Sequence, residues 1–193
     1  MTTQFHVAGA TTRWHNGFLR IEDLDVIGPR GEHLERTVVR HPGAVVVVPI
    51  DEAQGEIVLV RQYRAALDHD LLEVVAGKRD VAGEAPTETA QRELGEEIGM
   101  RAVRLVALCE FYNTPGFCDE YTYLYCALGL ESLDGPRAAT EEEAAMTVER
   151  VPLDAVDHLI ATGAIIDAKT IVGLSLTRRY LAGDYPGMVS PPP

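Results

Sequence analysis

Apolar residues along the chain shift between a two-residue period and a helical one. In 18–26 and 34–39 they alternate with polar residues around Gly28-Pro29-Arg30-Gly31, which reads as an N-terminal hairpin. From residue 44 the β pattern strengthens: 44–50 and 56–63 flank the polar turn Asp51-Glu52-Ala53-Gln54-Gly55, as in an antiparallel pair within a larger sheet. A short strand is expected over 71–75, followed by a Gly-rich, charged loop over 77–83. The period then lengthens. Pro86 suits a first helical position and Gly99 a left-handed C-terminal one, with Ala90, Leu94 and Ile98 forming a narrow buried stripe between them. Strands follow at 104–109, 121–128 and 146–151, then helices at 153–162 and 167–181.

No repeat or long polar linker splits the chain. We therefore expect an N-terminal extension over 1–40, one main domain over 41–183 and a disordered Pro-rich tail over 184–193. Strands and helices without regular βαβ alternation argue for an α/β (α+β) sandwich of sheets and helices rather than a Rossmann fold or barrel. Gly-rich dinucleotide and P-loop motifs fail on spacing.

Composition narrows the chemistry. The 193 residues carry a formal net charge of −13, which opposes general nucleic-acid binding because a phosphate backbone needs a basic surface. Phosphate-bearing substrates stay open if a divalent cation reverses the local charge. No apolar run is long enough for a membrane span, and 1–10 lacks a basic flank and an apolar core, so a cytoplasmic protein is expected. The three cysteines, Cys109, Cys118 and Cys126, lack a metal-binding spacing and read as packing residues, with a labile thiol at Cys118 as the alternative.

The candidate site lies on the helix over 86–99. Glu93 and Glu97 share a side one residue before the buried stripe, Glu96 lies beside them, and Arg92 stands four residues before Glu96. Three like charges repel unless compensated, and a hard divalent cation is the natural compensation; a solvated acidic helix face is the plain alternative.

The run Arg92-Glu93-Leu94-Gly95-Glu96-Glu97-Ile98-Gly99-Met100, with Gly77 and Glu84 upstream, closely resembles the signature of the Nudix hydrolases. One residue more than in that signature separates Gly77 from Glu84, within the loop 79–83. The resemblance implies a Nudix fold of mixed sheets between helices. It implies two or three Mg²⁺ ions, or Mn²⁺, held by Glu93, Glu96, Glu97 and the carbonyl of Ala76, with Arg92 orienting them. Arg61-Gln62-Tyr63-Arg64, the stretch 72–77 and Thr114-Pro115-Gly116-Phe117-Cys118-Asp119-Glu120 look like an ADP-ribose pyrophosphatase, Pro115 standing about fifteen residues past the helix motif. That subfamily implies hydrolysis of ADP-ribose to AMP and ribose 5-phosphate, with Pro115, Gly116, Phe117 and Glu120 in a substrate-binding loop, and on physical grounds Arg64 suits a forked donor to phosphate, Arg36 a contact with adenine or phosphate, and Glu73 a substrate contact. By the same resemblance the acidic run Glu141-Glu142-Glu143 supplies a catalytic or metal-binding glutamate on a mobile loop, Glu143 before Glu142, although Ala145 stands where related enzymes often have Asp.

Plain readings remain beside these. Arg36 and Arg64 also suit surface arginines, 115–117 a structural turn and 141–143 a solubilising loop. Glu73, in an apolar strand where an unpaired carboxylate would be costly, suits a ribose hydroxyl or a local donor as partner. The extension over 1–40, with Trp14, Phe18 and Leu19 to bury, is expected to join two copies into a homodimer and help build the adenine pocket. Other nucleoside diphosphate derivatives (a nucleotide sugar, coenzyme A, an oxidised nucleotide) are alternative substrates, and a non-catalytic ADP-ribose-binding regulator is the alternative from another class.

Overall fold

The computed structural model of the protein describes residues 4–135 and 140–188, in two compact units. The first unit comprises Met1–Gly43 and Phe111–Thr122, and the second Ala44–Glu110 and Tyr123–Pro193.

In the first unit β1 (His6–Asn16), β2 (Leu19–Ile27) and β3 (His33–Arg40) form an antiparallel sheet in that order. The expected hairpin is its β2–β3 half. The sequence pattern misses β1 because every one of its residues is exposed, so no face is written in apolar positions, and its register slips twice against β2. Asp23 ties the strands together by accepting from Arg13 on β1 and, at 2.6 Å, from Thr37 on β3. The segment 113–120 is fastened to the far edge: Val39 N–H donates to the Phe117 carbonyl at 2.7 Å, and Arg40 bonds both Glu22 and Asp119. Pro115, Gly116 and Phe117 thus form an anchored turn. Phe5, Val7, Trp14 and Phe18 are exposed in this unit.

The second unit is built around β4 (Ala44–Asp51), whose Val45 to Val48 are fully buried. It joins β5 (Glu56–Arg64), β8 (Met100–Tyr112), β9 (Tyr121–Ser132) and β10 (Thr147–Pro152) in the order β10-β5-β4-β9-β8, with β6 (His69–Glu73) added to β5 and β7 (Val75–Lys78) to β4. β4 changes partner along its length: 44–47 pair with β7, whereas Ile50 and Asp51 pair with β5. Pro49, which has no N–H to donate, lies between the two pairings. The expected strand 71–75 is therefore two strands, and β7 begins the segment expected to be a loop.

Consecutive residues of β4 face opposite layers. Val47 packs with Ala90, Leu94 and Ile98 of α1 (Pro86–Ile98), together with Val58, Val75 and Tyr125. Val48 faces α4 (Ala168–Leu181), which comes so close that a Cβ on Gly173 would stand 2.9 Å from its Cγ2. The sheet is thus sandwiched between helices, as expected. The helix expected over 153–162 is a 3-10 turn, Leu153–Ala155, running into α3 (Val156–Ala161), and the run 141–143 opens a short helix, α2 (Glu141–Ala145), rather than a loop.

Residues 185–188, expected to belong to a disordered tail, are instead fastened to the sheet. Met188 N–H donates to the Ala107 carbonyl at 2.8 Å and the Tyr185 hydroxyl to that of Leu108, which fastens this segment to β8; residues 189–193 lie outside the described residues. Burial pushes the Cys126 thiol up to about 12 and also raises Cys109 and Cys118, consistent with packing roles. Among the described residues no helix is long and apolar enough to cross a membrane.

Leu94 is fully buried at the contact of α1 with the sheet. Leu94→Ala is expected to lower unfolding free energy by about 2–5 kcal/mol through lost transfer energy and a residual cavity, read from denaturant melts. A loss below about 1 kcal/mol would place Leu94 outside the core.

Candidate metal centre

Local sequence chemistry sets α1 in place. Pro86 occupies its first turn, and the Glu88 carboxylate accepts from the Ala85 N–H at 2.9 Å. Gly99 ends it in the left-handed region, φ 67°. On the edge of its buried face Glu93 and Glu97 are 5% and 3% exposed, a burial that carboxylates tolerate only with compensation.

Arg92 supplies part of it. Its Nη1 donates to Glu93 at 2.7 Å and to Glu96 at 2.8 Å, and its Nε to Glu84 at 3.1 Å, while Nη2 reaches the Lys78 carbonyl. One guanidinium therefore spans three carboxylates. Its burial works against the charge, but those hydrogen bonds and charges outweigh it and hold Arg92 protonated. The Arg92 bond, assisted by the Thr89 hydroxyl, keeps the Glu84 carboxyl below its ordinary value. The extra residue between Gly77 and Glu84 is taken up in a turn: Glu84 N–H bonds the Val81 carbonyl, Gly83 has φ 81°, and Glu84 still reaches Arg92.

A strand supplies the opposite wall. A Cβ on Gly77 of β7 would fall 1.8 Å from the Glu93 carboxyl carbon, so glycine is what lets Glu93 lie against the strand. The neighbouring Ala76 N–H donates to the Glu97 carboxylate. Residue 76, whose carbonyl the resemblance singles out as a ligand, is thus placed beside Glu97.

Glu143 approaches from α2. Thr140 caps this helix reciprocally: its hydroxyl accepts from Glu143 N–H, and its own N–H donates to the Glu143 carboxylate at 2.8 Å. Carboxylate oxygens of Glu93, Glu96 and Glu143 lie within 4.8 Å of one another. Glu141 and Glu142 are exposed and outside this group; the buried Glu97, one turn along α1, is also outside it. The Thr140-x-x-Glu143 spacing is a capping signal readable in the sequence, and it distinguishes Glu143 from Glu142 without any structure.

The arrangement lacks positive charge. Burial pushes the Glu93 carboxyl up to about 7, against the pull of Arg92. Burial, then repulsion from Glu93, takes Glu97 up to about 8. Glu97 Oε2 is buried with no hydrogen-bond partner among the described residues. An all-carboxylate donor set with an orphaned buried oxygen fits a hard divalent cation.

The remaining site residues fall elsewhere. The Arg64 fork suggested for phosphate is engaged by Glu73, with Nε and Nη2 at 2.7 and 2.6 Å, and Lys169 donates to the same carboxylate. Glu73, 1% exposed, thus finds local donors. Sequence reasoning missed this use of Lys169, since nothing in a linear pattern links 73 to 169. Arg36, on β3, is exposed and bonds the Glu35 carbonyl; it and residues 115–117 and 120 belong to the first unit.

A model of the NUDIX domain matches residues 40–172. The chain is 38% identical to an ADP-ribose pyrophosphatase of Bacillus subtilis over 79% of this chain and 80% of that one. It is 40% identical to an ADP-ribose pyrophosphatase of Mycobacterium tuberculosis, over 80% and 74%. It is also 37% identical to a methanol dehydrogenase activator of Bacillus methanolicus, over 81% and 82%. The crystal structure of an ADP compounds hydrolase superposes with a TM-score of 0.79 at 24% identity, covering 95% of this chain and 97% of that one, which speaks for the fold.

The raised carboxyls give the metal-free protein a defined pH dependence. A carboxyl whose folded pKa lies above its ordinary 4.5 stabilises the fold while protonated, and that contribution falls as pH rises through about 7 for Glu93 and about 8 for Glu97. In chelator, the melting temperature is expected to fall from about pH 4.5, where the unfolded carboxyls ionise, to about pH 8, and Mg²⁺ to restore it most at the alkaline end. A flat profile in chelator would remove the electrostatic account of this site.

Proposed function

The chain belongs to the NUDIX domain family and is a Nudix hydrolase, and from that premise we propose that it hydrolyses ADP-ribose to AMP and ribose 5-phosphate with bound Mg²⁺. The observation that carries the metal-dependent reading is the buried carboxylate group around Arg92, with its orphaned Glu97 oxygen. The ADP-ribose assignment draws on the two pyrophosphatase relatives and on the sequence around Pro115. The reaction is assigned to the cytoplasm.

In this reading Glu93, Glu96, Glu97 and Glu143 hold two or three Mg²⁺ ions, or Mn²⁺, with the Ala76 carbonyl as a further ligand. The metal supplies positive charge at the diphosphate. Arg92 keeps Glu93 and Glu96 in one orientation. Glu143, or Glu142 in its place, accepts the proton of the attacking water as its oxygen bonds to phosphorus and the P–O–P link breaks. Arg64 meets the diphosphate, Glu73 aims it, and Arg36, Pro115, Gly116, Phe117 and Glu120 contact the rest of the substrate. A non-catalytic regulator is disfavoured, because ligand binding alone gives no use for buried, mutually repelling carboxylates.

Glu97→Gln is expected to lower turnover at least ~10²-fold with the fold retained, since it keeps the volume and removes the charge that binds metal. With the wild-type protein and Mg²⁺, the specificity constant for ADP-ribose should exceed those for coenzyme A, ADP-glucose and 8-oxo-dGTP by at least ~10-fold, the ratio given by one unpaired polar group. Faster cleavage of another panel member would reassign the substrate, and full activity of Glu97→Gln would remove the metal assignment.

We also propose a homodimer joined through the N-terminal sheet. The exposed edge strand β1 and exposed Trp14 and Phe18 support it. Sedimentation is expected to give a dimer for the full chain and monomers or aggregates after deletion of residues 1–36. A monomeric full chain with full activity overturns this assembly.

A further inference from the structure

A second buried group of charges lies in the unit that holds the carboxylate cluster. Arg64 ends β5 and clasps Glu73 with both arms of its fork, and Lys169 donates to Oε2 of the same carboxylate while lying 2.9 Å from Asp167 Oδ1. The Lys169 and Asp167 side chains are 18% and 16% exposed.

Two features of Lys169 call for a physical reason. Glu73 is already neutralised by a bidentate guanidinium, so burial of that carboxylate does not require a second cation. Lys169 also sits in the first turn of α4, where the helix dipole disfavours positive charge. Asp167 shares that second charge with Glu73, its Oδ1 lying beside Lys169 Nζ while its Oδ2 caps α4, accepting from Thr170 N–H at 2.9 Å and from the Thr170 hydroxyl at 2.6 Å. Lys169 is therefore set between Asp167 and Glu73. The result is a guanidinium held in one orientation by a carboxylate whose charge Lys169 also offsets in part. The bonds to Glu73 do not use Nη1 of Arg64.

We propose that Lys169 is a positioning residue for diphosphate binding: by offsetting Glu73 it lets Glu73 aim Arg64 while Arg64 still meets the substrate's diphosphate as a cation. The proposal rests on Arg64 binding the diphosphate of the substrate read above, and it adds the start of α4 to the site.

The test uses the full chain with Mg²⁺ and the variants Lys169→Met and Lys169→Arg. For ADP-ribose hydrolysis, Lys169→Met is expected to raise KM about 10-fold with kcat within about 3-fold of wild type, and Lys169→Arg to restore KM to within about 3-fold. A structural role alone gives the opposite split, with less active protein and an unchanged KM, and that result overturns the proposal. Should wild type fail to cleave ADP-ribose, the substrate reading falls by itself and calorimetry with inorganic pyrophosphate and Mg²⁺ decides. Weaker pyrophosphate binding in Lys169→Met, recovered in Lys169→Arg, supports the proposal; equal affinity in all three proteins overturns it. If Lys169→Met does not fold, Lys169→Gln takes its place in both arms.

Discussion

Like carboxylates held together out of water form the constraint around which the second unit is organised. Glu93 and Glu97 are almost fully buried on one helix, Glu96 stands between them in sequence, and Glu143 is brought to the same place by another helix. One arginine spans Glu84, Glu93 and Glu96, which is too little positive charge for the group. The fold holds this repulsion in place because α1 is anchored through Leu94 and its neighbours, whose burial does not depend on the charges. A protein that concentrates negative charge in this way is poised for a divalent cation, and the raised Glu93 and Glu97 carboxyls express that need.

The site is assembled from parts with separate local causes. Pro86 and Gly99 delimit α1, Gly77 gives Glu93 room against β7, and Thr140 caps α2 so that Glu143 reaches the cluster. β4 links them mechanically. It pairs with β7 on one stretch and with β5 on another, while its two faces bear α1 and α4. The Arg64–Glu73–Lys169 group is built on β5, β6 and the start of α4, so both charged groups are framed by elements adjoining that strand.

The first unit follows a different logic. Its strands are held by cross-strand pairs such as Asp23 with Arg13 and Thr37, and by Arg40 with Glu22 and Asp119, more than by an apolar core. Among its described residues Leu24 is the one buried hydrophobic, and the whole of β1 is exposed. Such a sheet is suited to cover by a partner, and the proposed homodimer supplies one.

What the sequence determined by itself is whatever short-range chemistry encodes. Helix α1 was legible from Pro86, Gly99 and a four-residue stripe, the carboxylate group from Glu93, Glu96, Glu97 and Arg92 within two turns, and β4 from an unbroken apolar run. The capped helix at Glu143 was not read there, the run 141–143 being expected as a loop. Tertiary structure alone decided what depends on distant pairing. It assigned Glu73 to Arg64 and Lys169, split the strand near residue 74 between β5 and β4, and fastened 185–188 to β8. It also added β1, which no pattern announced because neither of its faces is buried. The reason is one of range: caps, turns and periodicity act over a few residues and leave a trace in order, whereas a buried ion pair or strand partner is chosen by what the folded chain brings alongside.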